Sequence, residues 1–92
     1  MKYFDWDEGK NETLKTERDV SFEEVILAIF DGKLLDDVGH PNQARYPNQR
    51  LFIVEIENYA HLVPYVEDKE KIFLKTVIPS RKATKKYLVD KK

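Results

Sequence analysis

Apolar residues between positions 20 and 30 recur at helical spacing. In VSFEEVILAIF they stand three and four residues apart, which is typical of a helix that packs one face against a core. Ser21 can serve as the N-cap, Glu24 stands where it completes a capping box, and Gly32 suits the left-handed residue that ends a helix. The pattern therefore predicts a helix over 22–30. Its core-facing residues are expected to be Phe22, Val25, Ile26, Ile29 and Phe30.

Two weaker elements precede this helix. The segment KYFDW, residues 2–6, alternates loosely and is rich in aromatic residues, which predicts a short strand. Asp7 can cap a helix from Glu8 to Glu17, in which Leu14 supplies almost all of the apolar surface. We therefore expect this first helix to be the weakest element of the fold.

The hydrophobic pattern then changes from helical spacing to the alternation that is typical of strands. The predicted strands lie at 34–38, 51–57, 59–66 and 71–78. Turn signals at Asn58 and at 67–70 join the last three strands into an antiparallel meander, whereas the prolines and amide residues of 39–50 predict a loop. Pro64 cannot donate a hydrogen bond to a neighbouring strand, so we expect it at a sheet edge or at a bulge.

The end of the chain predicts one more helix. Pro79 interrupts the last strand, and Ser80 can cap a helix whose apolar positions are Ala83, Tyr87 and Leu88. The resulting order is β-α-α-β-β-β-β-α. It predicts an α+β fold with a single domain over residues 1–92, in which an antiparallel sheet of four to five strands packs against two N-terminal helices and one C-terminal helix.

Charge is distributed unevenly along the chain. Residues 81–92 contain six Lys or Arg and one Asp, a net charge of +5, so the rest of the chain must carry −6 to give the overall −1. In a helix that begins near residue 81, four of these cations share one exposed flank, since positions i, i+1, i+4 and i+5 lie on adjacent sides. They are Arg81, Lys82, Lys85 and Lys86. Such an array attracts phosphodiesters. The alternative interpretation is a solvated tail.

Several classes of site and location are disfavoured by composition. The chain has no cysteine and two histidines, which makes a zinc site improbable, and it contains no P-loop, dinucleotide fingerprint or nucleophile elbow. We expect no metal and no cofactor. The longest apolar run covers 25–30, against about 20 residues for a membrane helix, and no apolar signal segment is present, so we expect a cytoplasmic protein without membrane contact. The acidic pair Asp36–Asp37 is interpreted as solvated surface.

Three segments of the chain resemble the BrnT family of bacterial type II toxins. They are FDWDEGKN at 4–11, VSFEEV at 20–25 with the following IFDG, and IPSRKATKKY at 78–87. They occur in the order of the family and span nearly the whole chain. The resemblance implies a RelE-like ribonuclease fold and an endoribonuclease toxin that is neutralised by a ribbon-helix-helix antitoxin, in a two-plus-two heterotetramer.

The resemblance also implies a reaction and a set of residues. Such nucleases cleave RNA without a metal, by attack of a ribose 2′-OH on the adjacent phosphate, and basic side chains stabilise the developing charge. The closing motif nominates Arg81, Lys82 and Lys85 as catalytic residues, with Arg81 at the scissile phosphate. The residues expected to bind RNA are Lys86, Arg50 and Lys75. Lys75 adjoins Thr76, where the family usually has an arginine.

Other interpretations use the same residues differently. A nucleic-acid-binding module without catalysis would hold phosphates on the basic flank and would bind with a steep dependence on salt. A protein-interaction domain would instead dock a basic partner on its acidic body. Should Arg81 not be the reactive centre, the loop that contains His40, Arg45 and Arg50 is the alternative location.

Overall fold

The computed structural model describes residues 2–89 and shows three helical elements around one sheet. The elements are β1 (Tyr3–Asp5), α1 (Glu8–Arg18), α2 (Phe22–Phe30), β2 (Leu34–Gly39), β3 (Arg50–Ile56), β4 (Tyr59–Glu67), β5 (Lys71–Leu74), β6 (Ile78–Pro79), α3 (Arg81–Thr84) and a π-helical turn (Lys85–Val89). We call α3 and the π-helical turn together the C-terminal helix. The predicted α+β fold is confirmed. No helix within residues 2–89 is long and apolar enough to cross a bilayer.

The strands form a mixed sheet in the order β1-β5-β4-β3-β2, with β6 pairing with β4 beyond the end of β5. The meander of β3, β4 and β5 is antiparallel, as its alternating sequence predicts. The N-terminal strand β1 pairs with β5 in parallel, with Tyr3 opposite Lys71. This one parallel pair was not anticipated, because two helices and three strands separate its partners along the chain.

The sheet separates two layers of helices. Neighbouring residues of a strand face opposite sides, so Phe52 and Val54 pack against α1 and α2, whereas Ile53 packs against the C-terminal helix. The buried residues of the larger cluster are Leu14, Val20, Phe22, Val25, Ala28, Phe52, Val54, Ile56, Val63, Tyr65, Leu74 and Val77. The smaller cluster contains Ile53, Ala60 and Ala83. The C-terminal helix therefore has a sheet face to itself.

Helix α2 has the predicted start, and its core face is narrower than predicted. The Ser21 Oγ accepts a hydrogen bond from the Glu24 N–H at 3.2 Å, and Phe22 and Val25 are fully buried. Phe30 was expected to face the core, but 77 % of its surface is exposed. At 3.6 residues per turn, residue 30 lies about 80° round the helix axis from residue 22, at the border of the apolar stripe. Its ring contacts the edge of Phe4 instead, at 6.4 Å between centroids.

Helix α1 is fixed by buried polar contacts that its composition does not reveal. Asn11 is fully buried; its Nδ2 donates to Glu23 at 2.8 Å, and its Oδ1 accepts from the Phe22 N–H at 2.8 Å. The Trp6 ring stacks on Phe22 with centroids 5.9 Å apart. The tryptophan and the asparagine of FDWDEGKN therefore join the N-terminal segment to the start of α2.

Pro64 lies at an irregularity inside the sheet, so the bulge alternative holds and the edge alternative does not. The predicted strand 71–78 is interrupted after Leu74, so that residues 63–64 of β4 face residues 75–77, one residue more on the returning segment. The Pro64 carbonyl accepts from the Lys75 N–H at 2.8 Å. A residue's N and O point to the same side of a strand, so the missing N–H of proline also faces this interruption.

Candidate nucleic-acid interface

The C-terminal helix is fastened to β4 at Ala60. The Ser80 N–H donates to the Ala60 carbonyl at 3.0 Å, and the Ala60 N–H donates to the Thr84 Oγ1 at 2.8 Å. The Ser80 Oγ caps the helix by accepting from the Ala83 N–H at 3.0 Å. Ser80, Ala83 and Thr84 of the SRKATKKY segment thus set the position of the helix on the sheet.

A tyrosine anchors the other end of this helix. The Tyr87 hydroxyl donates to the Asp36 Oδ2 of β2 at 2.6 Å. This hydrogen bond lowers the pKa of Asp36 and raises the pKa of Tyr87. Ala83 is buried against Ile53 and Ala60 between the two anchors. One side of the helix is therefore committed to the sheet and the other is left to solvent.

The four predicted cations occupy the solvent side. Arg81, Lys82, Lys85 and Lys86 are all exposed. None of them forms an ion pair with another residue in the described range 2–89. Lys82 and Lys86, one turn apart, line a groove of about 400 Å³ between the C-terminal helix and β2, β3 and β4. The structure thus brings the predicted flank together at the rim of a groove.

The floor of this groove is largely apolar. Its apolar lining residues are Val38, Pro41, Leu51, Ile53, Leu62 and Ala83. Charges that border such a surface interact more strongly than charges surrounded by water, because the local dielectric constant is lower. An anion held between the lysines would therefore gain more than it would on an open surface.

Lys75 lies on the same sheet face as the C-terminal helix. Leu74 pairs with Tyr65 and points into the larger core cluster, so Phe73 points to the opposite face. The Lys75 Nζ lies 5.5 Å from the centroid of the Phe73 ring, and the Lys71 Nζ lies 5.6 Å from it. Lys71 is ion-paired with Asp5 at 3.1 Å. Lys75 therefore extends the positive surface of this face.

Arg50 is not brought together with the other predicted residues. It projects from β3 on the face of α1 and α2, where its Nε lies 3.2 Å from the Asp37 Oδ1 and its Nη2 donates to the Asp37 carbonyl at 3.1 Å. The Tyr65 hydroxyl donates to the same carboxylate at 2.7 Å. Hydrogen bonding to Tyr65 and the charge of Asp37 raise the pKa of Arg50, and burial raises the pKa of Tyr65 to about 12. Strand alternation separates Arg50 from Leu51, which lines the groove.

The adjacent acids Asp36 and Asp37 were interpreted as solvated surface; Asp37 is exposed and Asp36 is half-buried, but both have tyrosine partners that this interpretation did not include. Each carboxylate accepts a hydrogen bond from a tyrosine, Asp36 from Tyr87 and Asp37 from Tyr65, on opposite faces of the sheet. The available sequence signal was the adjacency itself, because two neighbouring acids in a strand point to different layers.

The two helical layers carry opposite charge. Positions 7–31, which contain α1 and α2, hold eight acidic and three basic residues, whereas positions 81–89 hold four basic residues and no acidic one. Acidic and basic residues that are separated along the sequence therefore lie on opposite sides of the sheet. The layer of the C-terminal helix therefore favours a polyanion over the layer of α1 and α2.

A second and larger cavity lies at the loop between β2 and β3. It measures about 760 Å³ and is lined by Gly39, His40, Gln43, Asn48, Gln49, Arg50, Tyr65 and Glu67. Gly39 also lines the groove beside the C-terminal helix, so the two cavities adjoin at the end of β2. Two residues of the predicted alternative centre, His40 and Arg50, lie here, while Arg45 lies 5.5 Å over the Tyr46 ring.

Over the described range 2–89, no group of three or more His, Cys, Asp or Glu side chains is placed to hold a metal ion. Comparisons with protein-family models, with curated proteins and with solved structures found no match for this chain. The residues of the C-terminal helix and its groove are therefore the ones that indicate a function.

Proposed function

We propose that this protein is an endoribonuclease, the toxin of a type II toxin–antitoxin module. One observation carries the proposal: four exposed cations lie on a helix that is fastened to the sheet at both ends, and two of them line an apolar groove. A solvated tail would not need the anchors at Ala60 and Asp36. The resemblance of the SRKATKKY segment to BrnT toxins supports the same function.

The proposed reaction is attack of a ribose 2′-OH on the adjacent phosphate, which yields a 2′,3′-cyclic phosphate and a free 5′-OH. Arg81 provides a planar guanidinium that can donate two parallel hydrogen bonds to the phosphate as its charge increases. Lys82 and Lys85 add positive charge at the same helix turn, and one well-placed donor of this kind can be worth roughly 2.7–4 kcal/mol of barrier. Lys86 and Lys75 bind the flanking backbone.

Tyr87 is assigned a positioning role in this scheme. The Tyr87 hydroxyl donates a hydrogen bond to Asp36, and this hydrogen bond raises the pKa of Tyr87. The phenol therefore keeps its proton and is a poor general base near neutral pH. Its contact with β2 keeps Lys86 at the groove. Catalysis therefore relies on electrostatic stabilisation of the transition state.

The proposed partner is a ribbon-helix-helix antitoxin, in a two-plus-two assembly, that covers the basic groove. The division of charge across the sheet supports this arrangement, since RNA and a neutralising segment would be attracted to the same face. Purified toxin should cleave RNA in buffer that contains EDTA, and the complex should not. Equal cleavage by both preparations would exclude neutralisation by occlusion.

The decisive test of the proposed function is Arg81→Ala. We expect loss of RNA cleavage and of growth inhibition, while the melting temperature stays near that of the wild type because the side chain is exposed. Arg81→Lys keeps the charge and loses the planar fork, so it should recover only part of the activity. Lys10→Ala in α1 is the control, since it removes an exposed cation from the acidic layer. Full toxicity of Arg81→Ala at equal expression would refute the assignment.

A nucleic-acid-binding module without catalysis is the second candidate. One observation favours it: within the described range 2–89, the residues that line the groove include no carboxylate and no imidazole that could act as a general base. This candidate predicts RNA binding that weakens steeply with salt and no cleavage products. Cleavage of RNA by the wild type, lost in Arg81→Ala, would eliminate it.

A further inference from the structure

The cavity at the β2–β3 loop has walls that are held in place by the loop's own hydrogen bonds. The His40 N–H donates to the Gln49 carbonyl at 3.0 Å, and the Gln43 side chain donates to the His40 carbonyl at 2.6 Å. The Tyr46 N–H donates to the Asn42 carbonyl at 2.9 Å. A loop closed in this way holds its backbone in a defined arrangement before any ligand binds.

Amide side chains are concentrated at this cavity. Gln43, Asn48 and Gln49 all line it, and the side-chain amides of Asn48 and Gln49 form no hydrogen bond with the part of the chain that the structure describes. An amide offers a donor and an acceptor side by side, which matches the edge of a nucleobase and allows two hydrogen bonds at once. The amides of Asn48 and Gln49 therefore have hydrogen-bond donors and acceptors available for the edge of a nucleobase.

Two flat groups complete the cavity. The Arg50 guanidinium is held by Asp37 and Tyr65, and the His40 ring is packed against Tyr46 with centroids 4.5 Å apart. The His40 Nδ1 accepts from the Asn42 N–H at 3.0 Å, so a neutral His40 carries its proton on Nε2 and can donate it. Guanidinium and imidazole planes are surfaces on which unpaired bases stack.

The position of the cavity relates it to the basic groove. Gly39 borders both, so a strand whose phosphates follow Lys82 and Lys86 has to pass round the sheet edge at the end of β2 to place a base in the cavity. A volume of about 760 Å³ is within the range of small-molecule sites and leaves room for one base with its sugar.

We infer that this cavity binds one unpaired nucleobase of the RNA whose backbone lies along the C-terminal helix, and that Asn48 and Gln49 determine which base is accepted. The inference rests on the proposed RNA-binding function and adds a source of sequence preference to it. Arg50 then contacts RNA through a base on the far side of the sheet edge, and the lysines contact the phosphates.

The test compares four labelled 2′-O-methyl hexamers, of adenosine, cytidine, guanosine or uridine, by fluorescence anisotropy at one salt concentration. These oligomers cannot be cleaved by 2′-OH attack, so binding is measured alone. The wild type should prefer one base by about tenfold or more, as expected for a bidentate base contact. Gln49→Ala and Asn48→Gly should each reduce the spread to within about twofold. Glycine is chosen because Asn48 has a φ of 69°.

Two controls separate this inference from the proposed function. Asn58→Gly makes the same change at another left-handed turn position, φ 64°, and should keep the wild-type preference. Lys86→Ala should weaken all four oligomers equally. Equal binding of the four oligomers by the wild type, or a preference that survives both cavity variants, would overturn the inference and leave RNA binding intact. Binding of none of the four would overturn the inference together with RNA binding itself.

Discussion

Replacing Thr84 by valine removes the hydroxyl that joins the C-terminal helix to β4 and leaves the shape of the side chain nearly unchanged. That hydroxyl accepts from the Ala60 N–H at 2.8 Å and donates to the Ser80 carbonyl at 2.8 Å. The Ser80 carbonyl keeps a second partner, the Thr84 N–H at 3.0 Å. Ala60 is fully buried, so its N–H has no water to bond with in the variant.

The expected cost follows from this orphaned donor. A buried N–H without a partner costs about 1–3 kcal/mol, and a methyl group cannot sit as close to the nitrogen as the hydroxyl does. A domain of this length is stable by roughly 5–14 kcal/mol, so the loss is a substantial part of the total. At about 4–8 °C per kcal/mol, the melting temperature should fall by roughly 4–24 °C.

Thermal unfolding followed by circular dichroism measures this cost, with Thr84→Ser as the matched control. Serine keeps the hydroxyl and loses only a methyl group, so it should melt closer to the wild type than valine does. Amide exchange should also accelerate at positions 83–88 in Thr84→Val, since the helix loses an anchor on the sheet. A valine variant that melts within about 2 °C of the wild type would refute the fastening role of Thr84. Equal damage by serine would assign the effect to packing of the methyl group.

Three further predictions concern the other layer of the fold. Asn11→Ala leaves the buried Phe22 N–H without its acceptor and should cost about 1–3 kcal/mol in denaturant unfolding, whereas a variant as stable as the wild type would show that the contact is dispensable. Ser21→Ala should cost about 1 kcal/mol and Phe22→Ala about 3–5 kcal/mol, and the reverse ranking would mean that the core face of α2 is misassigned. Tyr65 has its pKa raised to about 12 from an ordinary value near 10, so the unfolded chain loses the phenolic proton first; the stabilisation is complete below pH 10 and is lost as the pH rises to about 12. Across this pH range the melting temperature should fall less steeply for Tyr65→Phe than for the wild type. Equal slopes for the two proteins would contradict the raised pKa of Tyr65.

Local signals in the sequence determined the elements that carry the candidate site. The capping box at Ser21 and the helical spacing after it specify α2, because the groups that satisfy a helix start lie within one turn of it. Pro79 and Ser80 likewise specify where the C-terminal helix begins, and the spacing of Arg81 to Lys86 places four cations on its exposed side. These features depend only on residues close together along the chain, which is why the pattern was sufficient.

The tertiary structure alone decided which of these features meet. Alternation shows that Arg50 and Leu51 face opposite sides of β3, but only the packing of the helices shows which side holds the basic groove, and it separates Arg50 from Lys82. The parallel pairing of β1 with β5 and the tyrosine contacts of Asp36 and Asp37 join residues that are 28 to 68 positions apart. The energy of such contacts depends on distances that no short segment encodes, so they become definite only when the sheet and both helical layers are assembled.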